Sequence, residues 1–301
     1  MKKIWTLVRE TAREWSEDKA PRMAAALSYY TVFSIPALLF LVITVASLIL
    51  DRQEVREAVL AEIANALSQE SAEAVGAMID SASLGDRSGP AFVVGLVVLL
   101  LGASGVFNQL QDALNTIFEV RLRPGNFLLM IQKRFFSFLI VLALGFLLLV
   151  SLVLSTALNA LASFLQGLLP GSDSIFQGVN FLLPFIVIAV LFALMFRYLP
   201  DAVISWRDVW PGAILTSLLF NIGKTLLSLY LARSNLANTF GAAASVILIF
   251  VWVYYTAQIL FIGAEFTQVY ANRFGSGIQP EPHAELLSDQ ARVQQGIARK
   301  G

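Results

Sequence analysis

Six long hydrophobic segments alternate with polar connections along the chain. They cover residues 26–50, 91–118, 135–158, 181–199, 209–232 and 243–269. A hydrocarbon core about 30 Å thick is crossed by about 20 apolar residues of helix, so each segment is long enough or nearly so. The pattern therefore predicts an all-α integral membrane protein with six transmembrane helices, which form a single membrane domain over residues 1–272.

The longest connection between predicted spans, residues 51–89, has a helical period of its own. Apolar residues recur along it at Val55, Val59, Ile63, Leu67, Val75 and Ile79. Spacing of this kind is typical of amphipathic helices. We expect one or two such helices in an outer loop between the first two spans, either as a packing element or as a cover over an outward-facing opening.

Lysine and arginine are unevenly distributed between the two sides of the predicted bundle. Sixteen of the 21 basic residues lie at the termini or in the even-numbered connections, four lie on the other side, and Lys224 lies within a span. The positive-inside rule then places both termini in the cytoplasm. The polar residues 273–301 are predicted to be a disordered cytoplasmic tail.

The composition excludes a soluble globular protein. Hydrophobic residues make up 57% of the 301 residues and charged residues 14%, whereas soluble domains carry about 25% charged residues. The chain has no cysteine, and its one histidine, His283, lies in the predicted tail. Disulfides and thiolate chemistry are therefore excluded. No cofactor or metal site is predicted, and no nucleic-acid partner is predicted either.

Two predicted spans carry polar faces that include a carboxylate. Their polar residues are Asn108, Gln111, Asp112 and Asn115 in span two, and Tyr254, Gln258, Glu265 and Gln268 in span six. Polar side chains avoid lipid tails, so these faces should point to the bundle interior or to water. Hydrogen bonding between helices is the alternative explanation. The residues expected to line an inner vestibule are Gln111, Asp112, Gln258 and Glu265.

Lys224 places an ammonium group inside span five. At 1.5 Å per residue it lies about 21 Å from the inner boundary, level with neither Asp112 nor Glu265. A lysine at this depth costs about 2.5–3.5 kcal/mol on insertion scales. Its side chain could snorkel to the surface, pair with Asp51, or form the positive end of an outward-facing cavity. We favour the cavity, where Lys224 and Asn221 would hold an anionic group.

Four motifs resemble the YihY/BrkB family. They are AAALSYYTVFSIPALLFLV at 24–42, FNQLQDALNTIFEV at 107–120, WPGAILTSLLF at 210–220 and NTFGAAASVILIFVWVYYTAQILFIGAEF at 238–266. The resemblance covers residues 15–272 in order. It implies a six-span bacterial inner-membrane protein, from a family linked to export of envelope lipid or lipopolysaccharide and to virulence, and once mislabelled ribonuclease BN. Phe240 stands where the family has a tyrosine, so a role for that hydroxyl does not carry over.

Three classes of function follow. The favoured one is a transporter or export facilitator for an amphiphilic or anionic cell-envelope substrate, in which Glu265 could exchange protons. The second is a non-catalytic scaffold that binds envelope machinery through the outer loop, which has eight acidic residues against three arginines. The third is a membrane-embedded hydrolase or nuclease, which is disfavoured because the spans contain neither histidine nor cysteine. Membrane lipids are expected partners, and the oligomeric state is open.

Overall fold

The structure is a computed structural model that describes residues 2–47, 51–66, 69–82, 105–123, 173–233 and 243–298. The helices there are α1 (Lys2–Glu17), α2 (Ala20–Ala46), α3 (Arg52–Ala66), α4 (Gln69–Ala82), α5 (105–117), α6 (Asp173–Tyr198), α7 (Trp206–Arg233), α8 (Ala243–Phe274) and α9 (Asp289–Gln294). The short strands are β1 (Val120–Leu122), β2 (Ala202–Val203), β3 (Gln279–Pro280) and β4 (Ala284–Leu286).

The fold is predominantly helical, as predicted, and α8 carries the clearest membrane signal. Its segment Val246–Phe274 has 29 residues and a mean hydropathy of 2.1, so it is long and apolar enough to cross a membrane, and it is alone in this among the described residues. Helices α2, α6 and α7 overlap three further predicted spans, whereas the span at 135–158 lies outside the described residues. The count of six spans and the orientation of the termini stay predictions.

Helices α7 and α8 pack against each other through paired glycines and threonines. A Cβ atom at Gly212 would lie 1.8 Å from Thr267 Oγ1, and one at Gly263 would lie 1.7 Å from Thr216 Oγ1. Each threonine hydroxyl donates to the glycine carbonyl four residues earlier, Thr216 over 2.6 Å and Thr267 over 2.8 Å. The helices therefore run antiparallel, and small residues allow their backbones to approach closely.

The predicted helical character of the outer loop is confirmed by α3 and α4. Their apolar residues form one buried cluster with residues of α2 and α8: Ile43, Val55, Val59, Val75, Ile79 and Ile249. Residues 83–89 of the predicted loop lie outside the described residues. We call this the α3–α4 end of the bundle, and we call the opposite end, where α1, the strands and α9 pack, the tail end.

The disorder predicted for the tail is wrong for residues 275–298. Strand β3 pairs antiparallel with β2, and β4 pairs antiparallel with β1. Ser288 caps α9 by accepting a hydrogen bond from the Ala291 backbone N–H. The tail is polar overall, but some of its apolar side chains, including Ala284 and Leu287, are buried. It is ordered because segments distant in sequence supply strand partners that local composition does not reveal.

The α7–α8 contact predicts a steric test. Replacing Gly263→Ala places a methyl group against Thr216, whose Cβ lies only 2.9 Å from the new atom. Overpacking of this kind costs about 1–3 kcal/mol, so the thermal unfolding midpoint in detergent should fall.

Gly76→Ala is the matched control, because its nearest neighbour, Leu60 Cδ1, lies at an ordinary 3.4 Å. Alanine also favours a helix over glycine by about 1 kcal/mol, so this midpoint should hold or rise. Equal midpoints for the two variants would contradict the tight crossing.

Candidate functional site

Asp201 is a buried residue at the tail end of the bundle that contacts both α5 and the tail. It follows Pro200, which cannot continue helix α6, and it is 1% exposed. Its Oδ2 accepts hydrogen bonds from Asn115 Nδ2 at 2.8 Å and Gln111 Nε2 at 3.2 Å. Its backbone N–H donates to Asn115 Oδ1 at 2.7 Å. The polar face of α5 therefore binds a buried polar group in the connection between α6 and β2.

A turn in the tail brings two further ligand-type side chains to Asp201. The β2–β3 register pairs Ala202 with Pro280, so Asp201 lies opposite Glu281. The backbone carbonyl of Asp201 accepts a hydrogen bond from the Glu281 backbone N–H at 3.0 Å. The Ala284 N–H donates to the Glu281 carbonyl at 2.8 Å across a tight turn. His283 Nε2 consequently lies 3.0 Å from Asp201 Oδ1 and 3.5 Å from Glu281 Oε2.

Sequence reasoning misses this triad because it assigns His283 to a disordered tail. Proline at the second position of a four-residue turn, as in Glu281–Pro282–His283–Ala284, was the local signal for an ordered turn. Within the described residues, Asp201, Glu281 and His283 form the group of side chains whose ligand atoms, all within 4.8 Å of one another, could hold a metal ion.

A second buried charged group surrounds Glu265, and we call it the Glu265 cluster. Glu265 is 0% exposed, and neither of its carboxylate oxygens has a hydrogen-bond partner among the described residues. Its charged neighbours are Glu14 on α1, Asp18 after α1, and Arg292 on α9. Three acidic side chains therefore share one buried region with one arginine.

Arg292 holds the tail onto this cluster. Its Nη2 donates to Asp18 Oδ1 at 2.5 Å, and both side chains are only 2% exposed. Its Nε donates to the Ala298 carbonyl at 2.7 Å. A fully desolvated pair of this kind cannot lose one member without leaving the other charge buried.

The predicted vestibule residues have different surroundings. Gln111 binds Asp201, Glu265 belongs to its own cluster, and Asp112 is exposed. Gln258 is partly buried, and its Oε1 has no partner among the described residues. Gln268, at the end of the same predicted face, donates to Glu119 Oε1 at 2.9 Å. Whether any of them binds a substrate stays a prediction.

Lys224 is paired with an acid of the predicted outer loop, a partner that the sequence analysis did not consider. Its Nζ lies 3.2 Å from Glu62 Oε1 on α3, with side chains 39% and 52% exposed. The depth estimate considered acids in the predicted spans and at their mouths, whereas α3 packs back against the bundle. Asp51 instead caps α3, because its Oδ1 accepts the backbone N–H groups of Gln53 at 2.8 Å and Glu54 at 3.1 Å.

The α3–α4 end contains a cavity, but Lys224 is not among the residues that line it. The cavity measures about 280 Å³ and is lined by Leu60, Ala61, Ala64, Gln69, Ala72 and Glu73. Asn221, the predicted helper of Lys224, donates to the Ser217 carbonyl of its own helix at 2.8 Å. Among the described residues Lys224 therefore contacts Glu62, and the outward cavity around it stays a prediction.

Lys224 and Glu265 are separated along the bundle. A Cβ atom at Gly223 would touch the Tyr255 hydroxyl, so this level of α7 faces Tyr255 on the antiparallel α8. Glu265 lies ten residues beyond Tyr255, which is about 15 Å along a helix. The ion pair belongs to the α3–α4 end and the Glu265 cluster to the tail end.

Comparisons with known proteins support one family. The family model described as Virulence factor BrkB matches residues 11–287. A UPF0761 membrane protein of Pseudomonas aeruginosa strain LESB58 is 29% identical over 260 residues, which cover 85% of this chain and 60% of the relative. The ribonuclease-like protein YfkH of Bacillus subtilis strain 168 is 23% identical over 265 residues, which cover 86% of this chain and 93% of the relative. No solved structure matches.

The buried Arg292–Asp18 pair generates a stability prediction. Arg292→Met should lower the thermal midpoint strongly, because removing one partner of a buried ion pair costs about 3–5 kcal/mol. The double variant that adds Asp18→Asn should recover part of that loss, since no charged carboxylate of Asp18 is then left unpaired.

Arg273→Met is the matched control, because Arg273 joins α8 to Glu10 of α1 through a pair whose side chains are 42% and 34% exposed. Exposed pairs contribute about 0–1 kcal/mol, so this midpoint should move little. A larger shift for Arg273→Met than for Arg292→Met would show that the buried pair does not hold the tail.

Proposed function

Because the chain belongs to the Virulence factor BrkB family of membrane proteins, we propose that it moves an amphiphilic or anionic cell-envelope molecule across the bacterial inner membrane, as a transporter or export facilitator. In this proposal the chain crosses the membrane six times, with both termini in the cytoplasm. It spans about 60% of the length of the Pseudomonas relative.

The observation that carries the proposal is the buried position of Glu265. It lies on α8, the described helix that is long and apolar enough to cross a membrane, and its oxygens have no hydrogen-bond partner among the described residues. A charged carboxylate is costly in such surroundings. Ionisable groups inside membrane helices usually mark ion or substrate pathways and proton relays. We assign Glu265 the exchange of a proton, with Glu14 and Asp18 as neighbouring acids.

The Lys224–Glu62 pair supports a binding role at the opposite end. Both side chains are substantially exposed, so the pair can be reached from outside the bundle. An anionic group of a substrate can therefore replace Glu62 as the partner of Lys224, and the ammonium keeps a charged partner during the exchange. Helix α3 would then lose its ion pair to α7 and would be held by its apolar contacts with α2, α4 and α8.

A scaffold that acts through its acidic outer helices is the alternative, and it requires neither Lys224 nor Glu265 to change partner. A catalytic role has no support at the Glu265 cluster, although one relative carries a ribonuclease-like name. Glu265 and its acidic neighbours offer no histidine or cysteine as nucleophile or base. The two experiments below separate transport from the scaffold.

The first test replaces Glu265→Gln, which keeps the shape of the side chain but cannot gain or lose a proton. Purified protein is reconstituted into vesicles that contain fluorescent phosphatidylglycerol and a pH-sensitive dye. Lipid exposure to dithionite and proton uptake should both fall at least about 10-fold, a loss expected when an acid–base group is removed.

Glu285→Gln controls for a lost carboxylate, since Glu285 pairs with Arg121 outside the Glu265 cluster, and it should keep the wild-type rates. Unchanged rates for Glu265→Gln, or a wild-type rate no higher than that of empty vesicles, would count against transport and favour the scaffold.

The second test separates the two members of the exposed ion pair. Lys224→Met removes the cation and should slow phosphatidylglycerol movement, whereas Glu62→Gln frees the cation and should maintain or accelerate it. The exchange variant Lys224→Glu with Glu62→Lys restores the pair in reverse.

If Lys224 binds the anionic group, the exchange variant should stay slow, because the ammonium has moved to α3. Full recovery of the rate by the exchange would mean that the pair only fastens α3 to α7, and Lys224 would lose its assigned role.

A further inference from the structure

We propose that Asp201, Glu281 and His283 form a binding site for a divalent transition-metal ion, Zn²⁺ foremost, at the tail end of the bundle. The proposal is independent of transport, because it concerns residues outside the Glu265 cluster and away from Lys224. It rests on the spacing of three ligand atoms, on the groups that fix Asp201, and on the hydrogen-bonding capacity of one imidazole.

The spacing of the ligand atoms suits a single ion. Bonds of about 2.0–2.2 Å from Zn²⁺ to nitrogen or oxygen put neighbouring ligand atoms about 3.0–3.5 Å apart. His283 Nε2 lies 3.0 Å from Asp201 Oδ1 and 3.5 Å from Glu281 Oε2. All three ligand atoms lie within 4.8 Å of one another, so side-chain rotation alone would bring them to one ion.

The residues around Asp201 resemble the outer layer of a metal site. Asn115 and Gln111 both donate to Asp201 Oδ2, which orients Oδ1 towards His283. Metal-binding carboxylates are typically held by hydrogen bonds in this way. Because Asp201 is buried and fixed by α5, its carboxylate is preorganised, unlike the exposed acidic groups that often cluster without binding an ion.

A hydrogen bond from His283 can satisfy only one of the two carboxylates that its Nε2 faces. Nε2 of a histidine carries at most one proton, and here it faces carboxylate oxygens of both Asp201 and Glu281. One N–H can be aligned with only one of them, whereas a metal ion would bind Nε2 and both oxygens together. The imidazole also selects the ion, since Mg²⁺ and Ca²⁺ prefer oxygen ligands and Zn²⁺ accepts nitrogen.

The site has an open side through which an ion can enter. The side chain of Glu281 is 35% exposed and that of His283 is 16% exposed, while Asp201 closes the protein side. A water molecule could then complete the coordination. Bound metal would join α5, the start of β2 and the tail, so it should stabilise the tail end.

The test exploits the single histidine of the chain. Full-length protein without a histidine tag is labelled with ¹⁵N-histidine in detergent, so that the only imidazole signals come from His283. Adding Zn²⁺ should shift those signals with a stoichiometry of one, raise the thermal midpoint and slow tryptic cleavage at Arg292. Mg²⁺ at the same concentration should do none of these.

Two variants and a matched control decide the assignment. Glu281→Gln and His283→Gln should each weaken Zn²⁺ binding at least about 10-fold, as loss of a ligand requires. Glu285→Gln should bind Zn²⁺ like the wild type, because Glu285 pairs with Arg121 on the neighbouring strand. Imidazole signals unmoved by Zn²⁺, or equal affinities for Glu281→Gln and Glu285→Gln, would overturn the proposal.

Discussion

The reciprocal bond between Asp201 and Asn115 fixes the tail end of the molecule. The Asn115 amide donates to the Asp201 carboxylate and accepts the Asp201 backbone N–H, across 86 residues of sequence. Both groups are buried, where an unsatisfied polar group is costly. Because this bond places the residue before β2, it also sets where β3 pairs, and with β3 the turn that carries His283. The order of the tail therefore depends on a polar contact made by a predicted membrane helix.

Buried polar groups usually have hydrogen-bond partners, as Asp201 and Asn115 do, but Glu265 is an exception among the described residues. Asp201 has partners for its carboxylate, and Asp18 has Arg292, but the oxygens of Glu265 have none among the described residues. Local rules are most often broken at functional or strained sites, where the cost is balanced elsewhere. The contrast is informative because both kinds of group occur at one end of one bundle. Because Glu265 has no hydrogen-bond partner among the described residues, we propose proton exchange at Glu265 on α8. Because Asn115 and Asp201 bind each other, we assign them a structural role.

The sequence predicted features that depend on neighbouring residues, but it did not predict contacts between residues that are distant in the chain. The four-residue spacing in the outer loop correctly predicted helices there, because the spaced apolar residues form the buried sides of α3 and α4. The partner of Lys224 could not be predicted in that way, since Glu62 lies 162 residues away. The same holds for Asp18 with Arg292, 274 residues apart. Strands of two or three residues are too short to show an alternation of apolar and polar side chains, so the tail was predicted to be disordered.

Each end of the bundle has an ion pair, and the two pairs differ in how deeply they are buried. Lys224 and Glu62 meet with side chains that are 39% and 52% exposed, so another anionic group can reach the ammonium. Arg292 and Asp18 meet where both are 2% exposed, and separating them leaves a buried charge at a cost of about 3–5 kcal/mol. A membrane protein that opens at one end needs a mobile part and a fixed part. In the proposed function the exposed pair marks the mobile part and the buried pair marks the fixed part. A metal ion at His283 would increase that asymmetry, because it would further stabilise the end that is already held by buried partners.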